Sequence, residues 1–96
     1  MAIYKNAKIT TVAIGDDEVY ESDCIVKIGN SQCVVEYDYQ GCHYTYSGEE
    51  DGEGHYHLKC DSVNGSATLH CFSNSVILEG YWQENAYHGF WRIRLI

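Results

Sequence analysis

Nine tyrosines and two tryptophans in 96 residues are the side chains best placed to do chemistry in this sequence, and that chemistry is recognition. A tyrosine offers a ring face for stacking and a hydroxyl for hydrogen bonding. Tyr37 and Tyr39 stand two apart, as do Tyr44 and Tyr46. In an extended chain that spacing puts each pair on one face. With Tyr56 and Tyr87, six tyrosines fall on the side read as inward, too many for a small core to satisfy with one another's hydroxyls. Tyr37, Tyr39, Tyr44, Tyr46, Tyr56, Trp82, Tyr87 and Trp91 are therefore candidates to line a pocket for a small aromatic, nucleotide-like or polar organic ligand. The competing reading places several of these rings at the mouths of a filled barrel, hydroxyls in solvent.

The remaining reactive residue types carry less. His55, His57 and His70 share an outer face with Lys59, with no carboxylate in reach and the neighbouring thiols pointing the other way, so no metal site is expected. His43 and His88 show no partner. The stretch 48–54 holds four carboxylates among three glycines without the ligand spacing of a calcium loop, and reads as a solvated hairpin tip. No nucleophile elbow, phosphate-cradling glycine loop or His-Glu-x-x-His helix occurs, and adjacent Cys42 and His43 point to opposite faces of one strand. The expectation is a protein that is not an enzyme and needs no cofactor.

Six Lys and Arg against fourteen Asp and Glu give a net charge of −8, which repels phosphate backbones and anionic lipid surfaces; neither nucleic acid nor membrane is an expected partner. Five cysteines, Cys24, Cys33, Cys42, Cys60 and Cys71, are an odd number with no paired metal spacing, and their parity puts all of them inside. Together with the lack of a long apolar run or a signal-like start, this points to a reduced, cytoplasmic protein.

These residues must be positioned by strands. The chain has no proline, no sustained helical apolar stripe, and recurring period-two stretches between Gly, Asn, Ser and Asp clusters. Strands are predicted near 3–14, 18–21, 24–28, 33–39, 42–47, 55–63, 66–73, 76–83 and 87–95, in one domain spanning 1–96. Asn64-Gly65 reads as a two-residue hairpin turn pairing Val63 with Ser66 and Cys60 with Leu69. A turn at Asn74-Ser75 pairs Ala67 with Trp82. A third at Asn85-Ala86 pairs Trp82 with Gly89, Gly80 with Trp91 and Glu79 with Arg92, so each glycine lies under an indole that a Cβ would press into. The fold class is all-β: a single small antiparallel up-and-down barrel of about eight strands, with a β-sandwich as alternative.

The closing segment Leu78-Glu79-Gly80-Tyr81-Trp82 and Gly89-Phe90-Trp91-Arg92-Ile93-Arg94-Leu95 resembles the last hairpin of a small calycin-type barrel, the group that includes avidins and lipocalins. That resemblance implies a closed barrel with a lumenal ligand. The same segment also resembles one MORN repeat, a β-hairpin unit. Two functions follow: a small-molecule binding module with an aromatic-lined barrel pocket, or a filled barrel that uses outward Ile77, Tyr81 and Phe90 to contact another chain or form a homo-oligomer.

Overall fold

A computed structural model describes residues 1–16 and 19–96. The described residues form eight strands: β1 Ala2–Ala13, β2 Val19–Gly29, β3 Gln32–Tyr39, β4 Cys42–Glu50, β5 His55–Cys60, β6 Gly65–His70, β7 Ile77–Glu84 and β8 Tyr87–Arg94. Every strand pairs antiparallel with its chain neighbour, and β1 pairs with β8 to close an up-and-down barrel. Closure removes the unpaired edges that an open sheet would leave for aggregation. No helix among the described residues is long and apolar enough to cross a membrane.

Alternation fixes what faces the lumen. Ala7 and Ile9 of β1, Cys24 and Val26 of β2, Cys33 and Val35 of β3, Leu58 and Cys60 of β5, Ala67 and Leu69 of β6, Leu78 of β7, and Trp91 and Ile93 of β8 are all buried. The predicted register of the last two hairpins is the observed one: Ala67 faces Trp82, Trp82 faces Gly89, Gly80 faces Trp91, and Glu79 faces Arg92. The Arg92 Nε to Glu79 Oε2 distance is 3.8 Å, a loose, exposed pair.

The reason for the glycines differs from the one expected. A Cβ on Gly80 would overlap the carbonyl oxygen of Thr68 and lie 2.7 Å from its carbonyl carbon; one on Gly89 would meet the Val12 carbonyl, its carbon at 2.9 Å. Backbone of the adjacent strand, not the indole, excludes the side chain there. Such close backbone approaches at inward glycines are how a small barrel turns its corners.

Other expectations are corrected. Asn64-Gly65 is not a two-residue turn: β5 ends at Cys60, Asp61–Val63 forms a 3₁₀ turn, and Asn64 alone takes a left-handed conformation (φ 50°) as its cap. The register is Cys60 to Gly65 and Leu58 to Ala67, a shift that keeps every side chain on its predicted face. Gly65 is required because the Tyr46 ring fills the space over it, its Cζ 3.0 Å from where a Cβ would stand. The segments 18–21 and 24–28 form one strand, since Ser22 and Asp23 continue the ladder opposite Ile9 and Lys8; Glu18 itself lies outside the described residues. β4 runs on to Glu50, so the acidic hairpin tip shrinks to 51–54. His43 is not unpartnered: its ring sits 2.7 Å from an Asp38 carboxylate oxygen and 3.4 Å from one of Glu36, hydrogen bonds that raise its pKa above the ordinary imidazole value.

All five cysteines are free thiols, but not all are inside. Cys42 opens β4 directly after the turn at Gln40 and Gly41, at a rim where inward parity does not bring burial; Cys71 follows the end of β6 and is half-buried. Burial pushes Cys24 and Cys33 up to about 12, which suppresses the thiolate that alkylating reagents attack. A maleimide added to the native protein is thus expected to label Cys42 within minutes and to leave Cys24 and Cys33 unmodified until denaturant is added. Peptide mapping checks this; early label on Cys24 or Cys33 would contradict the barrel interior described above.

Candidate functional site

The turns joining β1 to β2, β3 to β4, β5 to β6 and β7 to β8 all lie at one end of the barrel, and the tyrosines gather there by register. Tyr37 pairs with Tyr44 and Tyr39 with Cys42 across β3 and β4; Thr11 pairs with Tyr20 across β1 and β2; Glu84 pairs with Tyr87 across β7 and β8. Tyr37 stacks on Tyr44 with centroids 5.4 Å apart and on Tyr46 at 6.4 Å. Trp91 stands edge-on to Tyr46 at 4.8 Å and to Tyr37 at 5.9 Å, and lies nearly parallel to Trp82 at 6.3 Å. The five rings form one continuous cluster of stacked and edge-on contacts, from Trp91 at its buried floor to half-exposed Tyr44 at the rim.

Polar groups are placed among these rings. The Tyr46 hydroxyl donates to a Glu84 carboxylate oxygen. Burial, with the Glu84 carboxylate beside them, raises the pKa of Tyr37 and Tyr46; Tyr44 is raised by burial and then by Cys42. All three hydroxyls therefore stay protonated and able to donate. Trp82 is 7% exposed, and among the described residues its Nε1–H is the one buried side-chain polar atom with no hydrogen-bond partner. Leaving such a donor unmet costs about 1–3 kcal/mol, which an acceptor arriving from outside would recover.

Of the eight residues read as pocket-lining, Tyr37, Tyr44, Tyr46, Trp82 and Trp91 are brought together. Tyr39, 44% exposed, stands at the same rim, edge-on to Tyr20 at 6.4 Å. Tyr87, 71% exposed, projects beyond it because it immediately follows the last turn. Tyr56 is buried in the other half of the lumen, with burial raising its pKa and Glu50 adding to the effect. Sequence reasoning missed Glu84 and Tyr20. Glu84 follows Trp82 by two and so shares its inward face; the same parity would have found it.

Of the outward residues named as a contact surface, Tyr81 and Phe90 are cross-strand neighbours. Thr68, Tyr81, Phe90, Val12 and Val19 are successive cross-strand partners over β6, β7, β8, β1 and β2. Tyr81 is 65% exposed and lines a surface depression with Ser66, Ala67, Thr68, Trp82, Gln83 and His88. Ile77 is half-buried and sits apart from this row, beside Arg92, Arg94 and Lys8.

No protein-family model, no curated protein and no solved structure matches the chain.

Proposed function

We propose that the chain is a non-enzymatic binding module that takes a planar organic molecule, neutral or cationic, at the tyrosine-lined end of its barrel. The observation that carries this is the buried, unpartnered Trp82 Nε1–H in the same half of the lumen as a stack of aromatic rings. Ring faces favour a flat ligand, and the indole donor asks for a carbonyl or ring-nitrogen acceptor on it. Glu84 beside the stack, in a chain of net charge −8, disfavours phosphate and carboxylate groups. A nucleobase or flavin-like ring fits; a nucleotide's phosphates would have to stay outside the rim. The closed eight-stranded barrel is the architecture in which calycin-type proteins hold a ligand at one open end, in line with the resemblance of the closing hairpin. Five free thiols agree with a cytoplasmic setting.

A thermal-shift panel of nucleobases, nucleosides, flavins and phenolic compounds tests the proposal. At about 100 times its dissociation constant a binder stabilises the fold by about 2.7 kcal/mol, a rise of roughly 10 °C or more for a domain of this size. Tyr44→Phe, at the rim, is expected to weaken that binder by about 2- to 12-fold with little change in the ligand-free melting temperature. Tyr46→Phe should instead lower stability itself, because it strips a donor from Glu84. No rise with any compound would leave the proposal without support.

A second reading is favoured by the row Tyr81, Phe90, Val12 and Val19: a contact face for a second copy of the chain. Arg92 lies beside this row with Glu21 and Glu79, so the face carries both signs, as a contact related by a two-fold axis needs. Sedimentation of the native protein and of Tyr81→Lys distinguishes the readings. A dimer abolished by the substitution supports this face; a monomer at high concentration removes it.

A further inference from the structure

We propose a second, separate site at the other end of the barrel, where Asp51, His55 and His57 form a surface site for a late divalent transition metal of the zinc class. His55 and His57 alternate onto the outer face of β5, and His70 of β6 is the direct cross-strand partner of His55. The expectation of no metal site rested on the lack of a carboxylate in reach. The turn after β4 supplies one, from a residue that sequence spacing does not connect to the imidazoles. One ligand atom from each of Asp51, His55 and His57 lies within 4.8 Å of the others.

The distances are compatible with coordination. His57 Nε2 is 3.4 Å from Asp51 Oδ2, longer than a strong charge-assisted hydrogen bond. Two donors each about 2.0–2.1 Å from a tetrahedral zinc are separated by about 3.3–3.4 Å, so this pair already spans one edge of the polyhedron. His55 Nδ1 lies 3.0 Å from the Asp51 carbonyl oxygen, a contact of the kind that orients a ligating imidazole. Its ring centroid is 5.2 Å from that of His57, and the exposed face leaves a fourth position for water.

The turn that carries Asp51 is held from several sides. Asp51 N–H donates to the His55 carbonyl at 2.6 Å, His55 N–H to Gly52 at 3.1 Å, Gly54 N–H to a Glu50 carboxylate oxygen at 3.0 Å, and Cys71 N–H to Gly54 at 2.7 Å. Gly52 and Gly54 adopt φ of 89° and 73°, which side-chain-bearing residues rarely take. The backbone that carries Asp51 is thus held beside the imidazoles before any ion arrives. Two imidazoles and one carboxylate suit zinc, copper(II), nickel or cobalt(II), whereas calcium prefers an all-oxygen shell.

Zinc chloride titrated into the full chain, followed by the imidazole ring resonances, tests the assignment. Saturable one-to-one shifts at His55 and His57 are expected, with His43, at the far end of β4, unmoved. Asp51→Asn and His57→Gln should each weaken zinc by about tenfold or more, and His43→Gln should leave it unchanged. Both ligand substitutions are on the surface and leave the core intact, so each variant's native spectrum verifies its fold. Unshifted His55 and His57 rings at saturating zinc, undiminished zinc affinity in Asp51→Asn, or calcium displacing zinc at equal concentration would each overturn the proposal.

Discussion

Gly80→Val is expected to lower the melting temperature by about 12 °C or more. The new side chain must displace the Thr68 carbonyl, part of the β6–β7 ladder, and backbone cannot swing aside as a side chain does. Overpacking against movable side chains costs about 1–3 kcal/mol; here the upper end or beyond is expected. For a domain of 60–100 residues each kcal/mol is worth about 4–8 °C. Gly80→Ala should show most of the same loss, since the first carbon already overlaps. Thermal unfolding by circular dichroism decides it. If alanine were neutral and only valine harmful, the indole of Trp91 rather than the neighbouring backbone would be the obstacle.

Trp91→Ala should be comparably damaging for the opposite reason. Trp91 is 1% exposed and touches Tyr37, Tyr46 and Trp82, so truncation leaves a void at the floor of the stack. Large aromatic truncations in cores cost about 3–5 kcal/mol, most of the stability of many domains this small. Dry apolar cavities of this kind accept small aromatic molecules. Added indole should therefore raise the melting temperature of the variant while leaving the parent chain unaffected. A loss under about 1.5 kcal/mol, with no rescue by indole, would mean that Trp91 does not hold the rings together.

How far the sequence revealed this fold depends on which signals were local. The β6–β7–β8 meander was legible because two turns and the reciprocal Trp–Gly and Glu–Arg pairings agree on a single register. The β5–β6 turn was misread because Asn64-Gly65 has the composition of a tight hairpin. Gly65 is instead demanded by Tyr46, 19 positions away, a contact that no local pattern carries. The error cost register but not facing, since it moved the pairing by an even number of residues. Cys42 and Tyr87 were misplaced because parity gives direction, not depth: beside a turn an inward side chain can still be wet. Asp51 joins two histidines through a turn whose shape depends on two positive-φ glycines and on a hydrogen bond from Cys71. Glu84, by contrast, could have been found by continuing the Trp82 alternation one step further.

The proposed pocket holds the Trp82 indole donor ready for a ligand's acceptor among the tyrosine rings. With only Trp82 and Trp91 in the chain, a ¹H–¹⁵N spectrum contains two indole signals, assigned by a Trp82→Phe variant. Titration with the planar compound that raises the melting temperature most should move the Trp82 Nε1–H signal downfield to a plateau as it gains an acceptor, with Tyr44→Phe shifting that plateau to higher concentration. A Trp82 signal that stays still at saturating amounts of every planar compound would rule out the proposed pocket.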